Sequence, residues 1–169
     1  MKVQKLLYYS QCLYLALYDE PLFEEEIEAW RYGPVCPEAY EFYSDFEALQ
    51  LPVPSDEFLS EISENQKKLL EEIWDYFGGY HAYRLSGMTH LELPWKKARK
   101  GVAPKARSTE AILLEDMKAL GYQKLDVIER DNPVYESVMS SVLEDALSSQ
   151  SSNRVKKGEV RGWLNSLAV

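Results

Sequence analysis

The chain has 169 residues, the size of one ordinary domain, with 46% apolar and 28% charged side chains; these proportions belong to a globular protein with a core to bury and exclude a disordered chain. It carries 19 Lys and Arg against 28 Asp and Glu, a net charge of −9 with an isoelectric point near 4.8, which disfavours an autonomous DNA-binding protein. No apolar run approaches the roughly 20 residues of a membrane-spanning helix, and Met1-Lys2-Val3-Gln4-Lys5 leads into an amphipathic pattern without the features of a signal peptide, so a cytoplasmic location is expected.

Val3, Leu6, Leu7, Leu13, Tyr14 and Leu17 recur at helical spacing and predict a helix over about residues 2–18, ended by Pro21. Ile27 to Tyr32 alternates, with Ile27, Ala29 and Arg31 on one face, and reads as a short strand or extended segment closed by Gly33-Pro34. Pro37 suits the first position of a helix striped by Ala39, Phe42, Tyr43, Phe46 and Leu49. After a loop enforced by Pro52 and Pro54, Ser63-Glu64-Asn65-Gln66 fits a capping box opening a helix with Leu69, Leu70, Ile73, Trp74 and Phe77 on one side, stopped by Gly78-Gly79.

A helix is expected from His81 to His90, with Ala82 or Tyr83, Leu85 and Met88 inward; Pro94 starts a short one holding Trp95 and ending at Gly101. Ser108 or Thr109 caps another through Ile112, Leu113, Met117 and Leu120, with Gly121 as its C-terminal signal, and Asn132-Pro133 begins a last long one through Val134, Val138, Val142 and Ala146. Ser148 to Asn153 reads as a linker, and Val160, Trp163, Leu164 and Leu167 line one face of a small terminal helix. The fold class is therefore mainly α (α+β): a compact multi-helix domain with a short β-hairpin or extended element near Trp30.

Charge is unevenly spread. Residues 1–80 hold 17 acidic and 5 basic side chains, and the remainder 11 and 14. Lys96, Lys97, Arg99, Lys100, Lys105 and Arg107 lie between Leu93 and Thr109 with no Asp or Glu among them. Such a dipole orients a charged partner more than it determines a fold. The run could be a solvated helix face, a contact for nucleic-acid phosphate, or a docking patch for an acidic protein.

Cys12 and Cys36 are far apart and belong to no CxxC pair, so buried reduced thiols are expected; with only His81 and His90 besides, no structural zinc is expected. Thr89-His90-Leu91-Glu92-Leu93-Pro94-Trp95 groups a hydroxyl, an imidazole, a carboxylate and an indole. General acid–base chemistry could use His90 and Glu92, but no nucleophile motif accompanies them, and a packed corner between two helices is the preferred reading. Trp30-Arg31-Tyr32-Gly33-Pro34 combines aromatic and arginine side chains that suit either an interface or an ordinary core and rim.

Lys5-Leu6-Leu7-Tyr8-Tyr9, Ile27 to Val35, Pro37-Glu38-Ala39-Tyr40, Leu85 to His90 and Pro94 to Arg99 together, in this order and spacing, resemble the Panacea domain of SocA-like antitoxins, also known from phage-associated GepA-type proteins. The similarity covers about residues 3–122. The resemblance implies a mainly helical domain with a small β element that binds and neutralises a cognate toxin, with no catalytic activity and no cofactor. The motif residues Trp30, Gly33, Pro34, Thr89, His90, Pro94 and Trp95 would then be scaffold.

The expected organisation is an antitoxin-like domain over residues 1–122, a helix over 123–147 packed on it, and a Ser-rich linker with basic tail over 148–169. Partner-binding residues are expected at Arg31, Tyr32, Lys96, Lys97, Lys100 and Trp163. Rivals to direct neutralisation are an adaptor delivering the toxin to an ATP-dependent protease, a hydrolase using His90 and Glu92, and a DNA-binding autorepressor.

Overall fold

The computed structural model describes residues 1–44, 46 and 55–131. Seven helices and one two-stranded antiparallel sheet occur among them, in the order α1 (Lys2–Tyr18), β1 (Glu28–Trp30), β2 (Gly33–Val35), α2 (Pro37–Ser44), α3 (Asp56–Glu61), α4 (Glu64–Phe77), α5 (Ala82–Leu91), α6 (Leu93–Ala98) and α7 (Leu114–Asp131). The expected class, mainly α with a short hairpin, is the one observed. No helix among the described residues is long and apolar enough to cross a membrane.

Helix α1 is the axis of the molecule. Every residue from Tyr8 to Ala16 is buried, so it is covered on all sides rather than along one stripe. Helices α4, α5 and α7 and strand β2 surround it. Tyr9 stacks on Phe77 of α4 with ring centroids 4.3 Å apart and planes 5° from parallel. Burial of this kind requires the polar side chains of α1 to find partners inside, and they do so by holding irregular backbone. Gln11 donates from Nε2 to Phe23 O at 2.8 Å and accepts from Leu22 N at 2.9 Å. Gln4 Oε1 accepts from Cys36 N at 2.8 Å, and Lys5 Nζ donates to Pro34 O at 2.8 Å.

The capping box at Ser63 is present with both reciprocal bonds to Gln66. On α4 the row Leu69, Ile73, Phe77 is buried, whereas Trp74, expected inside, is 58% exposed with Lys2 Nζ 5.1 Å above its ring. The row Leu69, Ile73, Phe77 faces the core, while the neighbouring row, buried at Gln66 and half-buried at Leu70, comes out to the surface at Trp74. Tyr83 is likewise outward; Leu85, Ser86 and Thr89 form the inner face of α5.

Two turn readings are corrected. Gly33 and Pro34 do not close the extended segment: they form β2, pairing with Trp30 and Ala29, and the reversal is made by Arg31 and Tyr32. Gly33 takes φ +103°, open to glycine, and Pro34, which lacks an N–H, sits on an edge strand where none is needed. Gly121 does not end a helix. It lies inside α7, where a methyl group would overlap the Cys12 carbonyl oxygen and stand 2.8 Å from Ala16 Cβ; the glycine lets α7 cross α1 closely.

Helix α7 begins at Leu114, later than Ser108 or Thr109 would cap it, because the preceding residues pair with β1. Ala29 N donates to Glu110 O and Ile112 N to Ile27 O, each at 2.8 Å, an antiparallel bridge between Glu28 and Ala111. Position 122 falls within α7. Helix α2 ends at Ser44, before Phe46, and Leu49 lies outside the described residues. Helix α3 occupies part of what reads as loop. The helix from Asn132, the Ser148–Asn153 linker and the segment with Trp163 also lie outside the described residues.

Candidate interaction face and its polar support

The hairpin lies along α5 and α6, and its backbone fixes the site. Ser86 Oγ donates to Tyr32 O at 2.9 Å, and Trp95 Nε1 donates to Trp30 O at 2.9 Å. Trp30 packs on Tyr40 with centroids 5.0 Å apart. The turn is thus clamped on either side of Arg31, at Trp30 and Tyr32, while the side chains of Arg31 and Tyr32 stay outside. Arg31 and Tyr32 are exposed, the guanidinium 4.9 Å from the tyrosine ring. On α5 and α6, Tyr83, Leu91 and Leu93 are 73%, 75% and 65% exposed. Large exposed apolar and aromatic groups on a rigid support are what protein interfaces use as anchors.

The Thr89–Trp95 corner is packed. Thr89 is fully buried and donates from Oγ1 to Ser86 O at 2.9 Å. His90 stacks on Trp95 at 4.3 Å, and burial lowers its pKa. Pro94 is buried at the start of α6. Glu92 is turned elsewhere: its Oε1 accepts from Tyr9 Oη at 3.0 Å and pairs with Lys124 Nζ at 2.7 Å, tying α1, the α5–α6 junction and α7 together. Its pKa is raised by burial, against the pull of Lys124. His90 and Glu92 therefore answer to different neighbours and form no hydrogen-bonded pair.

Lys5 is the residue that sequence reading passed over. It is 1% exposed, and burial lowers its pKa to about 8. It lies beneath Gly33: a methyl there would come within 2.7 Å of both Lys5 Cε and Thr89 Oγ1. The signal was available, since Lys5 falls in line with Tyr9, Cys12 and Ala16 on the most buried stripe of α1.

The basic run divides. Arg99 is 6% exposed; it donates from Nη1 to Ala29 O at 2.9 Å and from Nη2 to Ala106 O at 2.9 Å and Ala103 O at 3.2 Å, with Trp95 beside it at 5.1 Å. Lys97 pairs with Asp116 at 2.7 Å, and Lys96 donates to Leu91 O at 2.7 Å. Lys100, Lys105 and Arg107 are exposed and form no ion pair among the described residues. Of the expected binding residues, Arg31 and Tyr32 form the hairpin turn, Lys96 reaches back to Leu91 O at the end of α5, and Lys97 pairs with Asp116 of α7. Lys100 lies just past α6. Trp163 is outside the described residues.

Cys12 and Cys36 are free and buried, and burial pushes the Cys36 thiol up to about 11. Among the described residues no group of three or more His, Cys, Asp or Glu could hold a metal ion.

A family model described as "Antitoxin SocA-like, Panacea domain" matches residues 3–96, more than half of the chain. The chain belongs to the SocA-like antitoxin family. The matched Panacea segment runs from the start of α1 into α6 and so contains the hairpin, the α5–α6 corner and Lys5, while the cations beyond residue 96 and all of α7 fall outside it. No curated protein and no solved structure matches the chain. Family membership carries an antitoxin-type role and, with it, a toxin partner in general terms.

Proposed function

We propose that this protein neutralises a cognate toxin by stoichiometric protein–protein binding, through the face built from the Arg31–Tyr32 turn, the α5–α6 corner and the cations that follow it. The carrying observation is the contrast at this corner. The hairpin backbone is clamped by Ser86 and Trp95, yet Arg31, Tyr32, Leu91 and Leu93 remain exposed. A rigid support presenting exposed anchors loses little entropy on binding. Occlusion of the toxin's active site, or a lock on an inactive form, is sufficient mechanism, and an interface of roughly 1,600 Å² is the standard size for it.

The acid–base reading of His90 and Glu92 draws no support from their geometry, because each is engaged in packing with a different element. The test is co-expression with the product of the adjoining open reading frame, followed by co-purification and inhibition assays with purified components. Inhibition without any protease supports direct neutralisation. Inhibition only when an ATP-dependent protease is added would replace it with delivery for degradation, and absence of a complex would overturn both.

A further inference from the structure

The segment 110–112 joins the two-stranded sheet through an isolated antiparallel bridge to β1, and its outward edge has a distinct chemistry. Its bonds to β1 use Glu110 O and Ile112 N. In an antiparallel ladder successive residues direct their backbone groups to opposite sides, so the N–H and C=O of Ala111 point away from β1. Ala111 is exposed and makes no other backbone hydrogen bond among the described residues. Edge strands are ordinarily blunted by charged side chains, above all lysine, or by proline; Thr109-Glu110-Ala111-Ile112-Leu113 has no lysine or proline and a single charge, the exposed Glu110. Leu113 and Leu114, at its end, are both exposed.

The stretch of chain leading into this edge is cationic, with Glu110 the one carboxylate on the edge itself. Residues 96–107 contain no acidic side chain, Lys97 and Arg99 are occupied, and Lys100, Lys105 and Arg107 are left exposed without ion pairs among the described residues. We infer that the edge at Ala111 accepts an extended, acidic segment of the partner protein as an added strand, with main-chain bonds at Ala111 and carboxylates set against Lys105 and Arg107. This rests on the reading that the partner is a protein. A peptide backbone offers both an acceptor for the Ala111 N–H and a donor for its C=O. A nucleic-acid phosphate backbone offers acceptors for the Ala111 N–H but no N–H for its C=O.

The test uses the full-length protein and a fluorescein-labelled seven-residue peptide alternating valine and glutamate, followed by anisotropy. Binding is expected, weakened about tenfold by N-methylation of the central peptide nitrogens, as losing one to two net hydrogen bonds would do. Ala111→Pro, which removes the outward N–H but keeps both bonds to β1, should have a similar effect. Lys105→Glu with Arg107→Glu should weaken binding and flatten its salt dependence. Equal binding of the N-methylated peptide, of a valine–lysine peptide, or of a single-stranded oligonucleotide would overturn the proposal, as would no binding at all. The N-methyl comparison stands even if Ala111→Pro fails to fold. Co-purification of the adjoining gene's product is scored in parallel. Retention by wild type with loss in Ala111→Pro at unchanged thermal midpoint supports the edge. Retention by both overturns the edge alone, and failure with wild type overturns the antitoxin reading itself.

Discussion

The guanidinium of Arg99 donates to the carbonyl of Ala29, 70 residues earlier in the chain, at 2.9 Å. That bond joins the loop after α6 to the centre of the hairpin, and two further bonds from the same group to Ala103 and Ala106 fold the loop around it. Within a run of six cations one is therefore an internal brace and Lys97 is paired with Asp116, which leaves Lys96, Lys100, Lys105 and Arg107 to carry the exposed charge.

Arg99→Ala should destabilise the protein by ~2–4 kcal/mol, since three carbonyls lose a charged donor and the packing against Trp95 is lost. Arg99→Lys should recover only part of this, because an ammonium cannot span three acceptors in the guanidinium's planar arrangement. Lys100→Ala, at an exposed site, should stay within about 0.5 kcal/mol of wild type. Urea unfolding of the three variants measures the order, and equal midpoints for Arg99→Ala and Lys100→Ala would refute the brace.

Gly121→Ala runs against ordinary helix propensity. In an exposed helix interior the change stabilises by up to about 1 kcal/mol. Here the added methyl meets the Cys12 carbonyl and Ala16 Cβ on α1, and rigid backbone cannot yield as a side chain can. A loss of ~1–3 kcal/mol is expected, the range for overpacking, read as a lowered thermal midpoint. A raised midpoint would show that α7 does not press on α1 at this point.

Lys5 makes stability depend on pH in a direction opposite to most surface lysines. Burial lowers its pKa from 10.5 to about 8, so between those values the unfolded chain binds more protons than the native one, and stability rises as pH increases through that window. At 1.36 kcal/mol per unit the gain is ~3 kcal/mol at most. Subtracting the profile of Lys5→Met from that of wild type between pH 7 and 9.5 cancels other titrations and should leave a rising difference. A flat difference would mean that the ammonium is as well solvated folded as unfolded.

At the hairpin tip stability and binding should separate. Arg31→Glu with Tyr32→Ala changes two exposed side chains while the backbone clamps at Trp30 and Tyr32 stay intact, so the unfolding midpoint should move by no more than about 0.5 kcal/mol. Partner affinity should fall by at least ~2 kcal/mol, as for a hot-spot pair. Calorimetry of the variant with and without the partner decides this; undiminished affinity would shift the interface away from the turn.

Local chemistry alone determined much of this protein. Helix α1, the capping box at Ser63, Pro37 and Pro94 at helix starts, and the extended segment through Trp30 all follow from periodicity and from residues whose backbone preferences act over three or four positions. What needed the tertiary structure is whatever depends on a neighbour distant in the chain. Gly121 resembles a helix stop until Cys12 lies against it, Gly33-Pro34 resembles a turn until Lys5 and Ala29 claim it, and Trp74 resembles core until its row, buried at Gln66, comes out to the surface. Arg99 and Lys100 are adjacent cations with equal claims on sequence; only the fold places three carbonyls around the first and solvent around the second. Desolvation draws that distinction, and desolvation is a property of the packed molecule.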